Sequence, residues 1–351
     1  VDVILPIAGV AVNLAALGLV GLVVGFISGL FGIGGGFLMT PLLIFLGVPP
    51  SIAVATGSAQ LVASASYGTS AAFTHRLVDR VLSTYLLLGA MIGTVLGIGV
   101  FNLLTQTGFF ESLVGIAYVV LLGSVGGLML KESLGALFGA TKHHDATPHP
   151  NAIAQWLAHQ SGPRNFTAFD VSINPLPLVG VSVLIGVIGT VLGVGGGFMF
   201  VPALIYWFRL PTRAAVAASQ VQILVTMMVA TVLHAVFNHA IDVVLAVPLS
   251  VGGVIGAHLG GLTAKFVHGA HFRLALAVII VSVALRFLVT LVMAFTQQMA
   301  GAAIQKISLA GMPQWEGWIA IEAHDNALLY GLSTMLFALL CGFGAHRLIN
   351  R

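Results

Sequence analysis

One segment is written twice in this chain: FGIGGGFLMTP from Phe31 to Pro41 and LGVGGGFMFVP from Leu192 to Pro202. Each copy lies in an almost uncharged apolar stretch that glycines break and a proline follows. Duplicated apolar segments interrupted at corresponding places mark the cores of membrane transporters built from two related halves. The spacing between the copies also carries Gly25 onto Gly186, Pro50 onto Pro211 and Ser58 onto Ser219. Further along, small insertions widen it, pairing His75 with His239, Asp79 with Asp242, Gly93 with Gly256 and Gly97 with Gly260. One ancestral unit has been used twice.

Composition fixes the solvent. Of 351 residues, 58% are hydrophobic and 7% charged, whereas soluble domains carry about a quarter charged residues; the mean hydropathy is +1.08. The fold class is therefore an all-α polytopic membrane protein. The sole cysteine, Cys341, reads as a helix-packing residue. The opening VDVILPIAGVAVNLAALGLV lacks the charged start and small-residue cleavage pattern of a signal peptide and reads as membrane structure. A sequence pI near 9.3 rests on so few charges that it implies no nucleic-acid partner; the partners expected are the lipid bilayer and a small anionic substrate.

Stretches of roughly 20 apolar residues, enough to span a bilayer, run over Ile52–Thr74, Val81–Leu104, Ser112–Leu130, Ala214–Val236, Val243–Ala264, Phe272–Phe295 and Ala327–Ala345. Each glycine motif lies between a longer apolar arm (Leu14–Phe31, Leu178–Leu192) and a shorter one (Phe37–Val48, Phe198–Phe208). The short arms reach only about 16 to 18 Å at helical rise, so they read as re-entrant half-helices; two tilted crossings give the same parity. With a hairpin at each motif, Arg76, Arg80, Lys131, Lys142, Arg164, Arg209, Arg213, Lys265, Arg273, Arg347 and Arg351 share one face. Only Lys306 falls on the other, and Arg286 is mid-span. The positive-inside rule makes the crowded face cytoplasmic, which puts the N-terminus outside and the C-terminus inside. Each half then has an odd number of spans, so the repeats are expected to be inverted. The domain reading is a first transmembrane repeat over 1–130, a cytoplasmic linker over 131–175, a second repeat over 176–296, an outer loop over 297–325 and a C-terminal span and tail over 326–351.

Where the chain reverses at membrane depth, Gly34, Gly35 and Gly36 and their partners Gly195, Gly196 and Gly197 leave backbone N–H groups that protein, water or ligand must satisfy. Half-helix N-termini there turn their positive dipole ends inward, which suits an anion; close helix packing is the alternative use of the glycines. No Walker lysine follows either motif, so a nucleotide cradle is excluded. The next span opens with Thr56, Ser58 and Gln60 in one half and Ser219, Gln220 and Gln222 in the other. These groups can line a site for an oxyanion or bond helix to helix. His75, His234 and His239 are candidate proton carriers, with His258 also deep in a span. Arg286, alone in VIIVSVALRFLVTLVMAF, costs about 2.5 to 3.5 kcal/mol to insert. It is expected to face an anion or watery cavity, or else to cap helices or hold a homodimer interface. His143, His144 and His149 lack metal-site spacing and read as a solvated linker; no metal or cofactor is expected. Trp315 and Trp318 read as interfacial anchors.

The repeated G-x-G-G-G-x-x-x-x-P pattern, the alanine-rich span bearing Ser58 or Ser219 and the H-x-x-x-D turn at His75 to Asp79 together resemble the TauE/SafE sulfite exporter (sulfonate uptake permease) family. The resemblance covers residues 14–295. The second turn departs from it as H-x-x-D, His239 to Asp242, and Arg286 is not a residue the family pattern supplies. The resemblance implies a membrane protein moving sulfite, a sulfonate, sulfoacetate, thiosulfate or a related small organic anion, and the chain is read as a bacterial inner-membrane transporter. Alternating access in a secondary transporter is the expected mechanism. An anion channel or uniporter would share the composition, and an integral membrane enzyme would need a nucleophile or metal cluster that the spans lack.

Overall fold

The computed structural model describes residues 2–32, 34–137, 164–166, 171–264 and 270–308. Ten α-helices run through these residues, and two short hairpins precede the first and the sixth. The expected C-terminal span, Trp315, Trp318 and the linker histidines lie outside them.

The first half begins with β1 (Asp2–Ile4) paired antiparallel to β2 (Ala11–Asn13). The opening residues are thus a hairpin turning through Pro6 and Gly9, and helix starts only where Asn13 caps it, its side chain accepting from the N–H of Ala15 and Ala16. There follow α1 (Leu14–Phe31), α2 (Gly36–Phe45), α3 (Pro50–Thr74), α4 (Arg80–Gln106) and α5 (Phe110–Leu137). The second half repeats the series: β3 (Arg164–Phe166) with β4 (Val171–Ile173), α6 (Pro175–Leu192) capped by Asn174, and α7 (Gly197–Tyr206). Next come α8 (Thr212–Leu233) with a terminal π turn (His234–Asn238), α9 (Val243–Thr263) and α10 (Ala270–Ser308). The second hairpin thus occupies the end of the stretch read as linker. Likewise, α10 stays helical to Ser308, into the stretch read as outer loop.

Among the described residues, seven helices are long and apolar enough to cross a membrane: Leu14–Phe31, Arg80–Gln106, Phe110–Gly135, Pro175–Leu192, Thr212–Asn238, Val243–Thr263 and Leu274–Met293. The long arms of both glycine hairpins are among them. The 25-residue α3 is not, because serine, threonine, glycine and glutamine dilute its apolar residues. Leu88, Ile92, Val95 and Leu96 on α4 and Val247, Val251 and Ile255 on α9 are exposed. In water such faces would drive association; in lipid they are the solvated side.

The described helices fall into two compact units. Within the second, α5 and α10 stack Tyr118 on Phe287 at 5.2 Å. Within the first, the halves are interlaced by close backbone contact. A Cβ at Gly25 of α1 would fall on the backbone of Gly253 in α9, with Gly21 facing Leu249 and Gly29 facing Ala257, so these helices run parallel. The equivalent pair, α4 and α6, is matched in the same way: Gly89 meets Val179, Gly93 meets Val183 and Gly186, and Gly97 meets Val187 and Thr190. Lipid provides no hydrophobic drive between helices, so approach this close, which only glycine allows, supplies dispersion contact instead. Between the two pairs lie α3 and α8, copies of one helix, which cross antiparallel. Ser58 meets the Thr231 hydroxyl at 3.0 Å, and Thr69 donates to the Gln220 carbonyl at 3.0 Å.

Candidate functional site

Both glycine motifs are hairpin tips. After α1 the chain turns left-handed at Gly32 (φ 66°), and after α6 at Gly193 (φ 67°), a conformation that costs any residue with a Cβ. Gly35 then lies beside Val24 and Ser28, and Gly47, past the end of α2, lies beside Val10, so the chain returns to the end at which it entered. The second tip folds back likewise, with Gly196 against Ile185 and Gly189.

The tips meet each other. A Cβ on Gly36 would lie 2.5 Å from the Val194 carbonyl oxygen, and Phe37 and Phe198, second residues of α2 and α7, stack at 4.5 Å and 14°. Leu61 of α3 lies against Gly36 and Gly195; Ile223 of α8 lies against Gly34 and Gly195. Each tip is also held by the other half. Gln220 Nε2 donates to the Gly32 carbonyl at 2.6 Å, and Thr40 Oγ1 donates to the Gly193 carbonyl at 3.4 Å.

Several polar groups of the tips, and of the helices that pack on them, have no protein partner. Among the described residues no acceptor bonds the N–H groups of Gly36, Gly196, Gly197 or Phe198. Gln60, adjoining Leu61 in sequence and lying beside Gly253, is fully buried with both amide atoms unbonded. Gln222, adjoining Ile223, gives its amide nitrogen to Thr226 at 3.0 Å and leaves its oxygen unbonded. Buried polar atoms left in this state cost about 1 to 3 kcal/mol each, and each calls for an explanation such as a bound water or ion.

The other polar residues of the stripe are committed to the fold. Ser58 donates to the Ala55 carbonyl or bonds Thr231, and Ser219 donates to the Val216 carbonyl. Thr56 donates to the Ala240 carbonyl and accepts the Asp242 N–H. His75 and His239 are exposed, whereas His234 is completely buried and edges Phe101 at 4.6 Å. His258 is exposed and edges Tyr67. Arg286 belongs to the second unit, is half-buried on α10 and has an interaction partner.

Sequence reading missed Thr40 and the work of Asp242. The Asp242 carboxylate accepts from Val244 and Leu245 as the cap of α9, and from Ile7 and Ala8 in the turn of the first hairpin. Its recurrence as Asp79, which caps α4 through Val81 and Leu82, was the available signal. The backbone also shifts one pairing. The left-handed residues before these aspartates are Arg76 (φ 54°) and His239 (φ 47°), so the turn equates His239 with Arg76 and His75 with Asn238.

Helices apolar and long enough to cross a membrane, interlaced halves and two glycine hairpins meeting at their tips define a multi-pass membrane protein. The chain belongs to the sulfite exporter TauE/SafE family, whose model matches residues 17–287. It is 25% identical over 248 residues to the probable membrane transporter protein YunE of Bacillus subtilis, covering 68% of this chain and 84% of that one. A probable membrane transporter protein of Xylella fastidiosa is 30% identical over 246 residues, covering 69% and 81%. Sulfite exporter TauE/SafE family protein 3 of Arabidopsis thaliana shares 46% over 46 residues, 13% of this chain and 10% of its own. No solved structure matches the chain.

Proposed function

We propose that this protein is a secondary transporter that exports a small sulfur-containing oxyanion, such as sulfite, sulfoacetate or another sulfonate, by alternating access, with the site between the two hairpin tips. The carrying observation is a set of unbonded donors: the first-turn N–H groups of α2 and α7 at the junction, and the amide of Gln60 on α3, the helix whose Leu61 packs on both tips. Neutral donors at helix N-termini suit an oxyanion, and amides orient it without a fixed countercharge. Antiparallel pairing of the equivalent helices α3 and α8 supports inverted repeats, which give two states of similar energy open to opposite sides. Because the tips touch in this arrangement, loading the site requires one hairpin to withdraw. The positive-inside bias supports a bacterial inner-membrane location with the N-terminus outside. Cysteines placed beside Lys142 and Lys306 should therefore be labelled from the cytoplasm and the exterior respectively; labelling of both from one side rejects the topology.

The test is Gln60→Met in purified protein. An amide with no protein partner loses nothing in the fold when replaced by an apolar side chain of similar length, so thermal stability should hold or rise. Sulfite affinity, read by thermal shift against thiosulfate, sulfoacetate and taurine as competitors, should fall about tenfold, the order expected for one charge-assisted hydrogen bond. Unchanged sulfite affinity in Gln60→Met would remove the glutamine from the site.

A further inference from the structure

The second half contains a polar cluster that the first half manages without. His234 opens the π turn that ends α8, fully buried, with Nδ1 and Nε2 both unbonded. Its ring faces the backbone of Thr190 on α6 too loosely for a well-formed hydrogen bond, and the Thr190 hydroxyl is buried and also unbonded. Asn238, the last residue of the π turn, has both amide atoms buried and unbonded, while the intervening Ala235, Val236 and Phe237 are exposed. Five buried polar atoms on one turn and the helix against it lack a close partner, the condition under which a fold retains buried water.

The molecule supplies its own control. By the spacing that equates Asp79 with Asp242, His234 corresponds to Ala71, and by that of the glycine motifs Thr190 corresponds to Gly29, which packs on Ala257. In the first half α3 ends as ordinary α-helix at Thr74 with His75 exposed. The fold thus closes this corner without a π turn, an imidazole or a hydroxyl. π turns arise where an extra residue is accommodated within a helix, often at a functional position.

We infer that His234 is the proton-binding group that couples net anion movement to the proton gradient, with Thr190 and Asn238 holding the water that delivers the proton. The inference rests on the transporter reading above. Imidazole exchanges a proton near physiological pH, and the helices packed here bring no rival. α6 carries no ionisable residue, α3 only Tyr67, α4 only Arg80 and Tyr85 in its first two turns, and α8 only Arg213 at its start. Asp242 beyond the turn has both carboxylate oxygens occupied by N–H groups, and Glu111, after the Phe110 that packs on Phe101, is exposed. A proton on His234 requires water or an anion beside the ring, and access changes when the second hairpin moves. Imidazole nitrogen takes the proton from water on one side and returns it to water on the other. A group that binds protons differently in two conformations biases the exchange between them.

The experiment compares wild type and His234→Gln in proteoliposomes with labelled sulfite. Net sulfite flux driven by an imposed pH gradient should drop at least about tenfold in the variant, while sulfite–sulfite exchange at equal pH stays within about twofold, because exchange needs no net proton step. Gradient-driven flux equal to wild type overturns the proposal, as does loss of both fluxes in folded protein, which would make the ring structural. Absence of sulfite flux in wild type counts against the substrate reading, and a substrate-free measurement then decides the inference. The pH profile of thermal unfolding in detergent should differ between wild type and His234→Gln; superimposable profiles overturn it.

Discussion

At the first hairpin tip the residue before the half-helix, Gly35, has φ −79°, in the right-handed region, and its would-be Cβ is blocked by the Val24 side chain. At the second, Gly196 has φ 78° in the left-handed region and its Cβ would meet Ile185 and Phe200 at 3.0 Å and beyond. The middle glycine of the triple is therefore required for different reasons, at Gly35 by a neighbour and at Gly196 by the backbone itself, while Gly34 and Gly195 are left-handed alike. The helix pairs behind the tips differ far less, since α1 on α9 and α4 on α6 make the same parallel glycine contact. The duplicated scaffold has stayed alike where it holds the fold, and the tips and the π turn are where the halves have been free to diverge.

The largest effects should come from the shared scaffold, and should be equal. Gly25→Leu in α1 and Gly186→Leu in α6 each drive a side chain into the backbone of a partner helix, at Gly253 and at Ala90. Backbone cannot yield as a side-chain end can, so each should cost more than the about 1 to 3 kcal/mol of ordinary overpacking, seen as loss of folded protein on gel filtration in detergent. A severe defect in one with a mild defect in the other would break the equivalence of the two halves.

Gly35→Ala and Gly196→Ala should each cost about 1 to 2 kcal/mol in thermal unfolding, and second-site changes sharpen the contrast. Val24→Ala should restore much of the stability of Gly35→Ala, because it removes the Cγ1 atom 2.6 Å from the new methyl. Ile185→Ala should not restore Gly196→Ala, since the strain there lies in a positive φ that repacking leaves in place. Rescue at both tips, or at neither, would show that the two glycines answer to one constraint.

Much of this could be read from the chain because the duplication acts as an internal alignment. The helix series, the hairpins and the recurring aspartate caps are all registered by matched glycines, prolines and acids. Polar groups in spans were visible, but not their partners. Ser58, Ser219 and Thr56 are spent on helix contacts, Gln220 is tied to Gly32, and Gln60 stands unbonded, although all six stripe residues have comparable polarity and position. Burial divided the histidines in the same way: His75 and His239 look alike in sequence to His234, and only the π turn puts His234 inside. Which groups a packed helix leaves unsatisfied depends on neighbours from the other half, and periodicity within one segment carries no record of them.

The smallest expected effect concerns the two hydrogen bonds that hold the tips across the halves. Gln220 reaches the Gly32 carbonyl at 2.6 Å, whereas Thr40 reaches the Gly193 carbonyl only at 3.4 Å, near the limit at which such a bond retains useful strength. Interhelical hydrogen bonds in membrane proteins average about 0.6 kcal/mol, with the best near 1.7. Gln220→Leu should therefore lower stability by about 1 to 1.5 kcal/mol, and Thr40→Val by only a few tenths, measured by thermal or denaturant unfolding of the purified variants. Besides the direct loss, Gln220→Leu strands the Gly32 carbonyl of a left-handed turn, while Thr40→Val frees a weakly held one. The difference should also show in hydrogen exchange, with faster exchange at the first tip in Gln220→Leu and little change at the second in Thr40→Val. Equal losses in the two variants would mean that the tips are held alike and that the asymmetry begins only at the π turn.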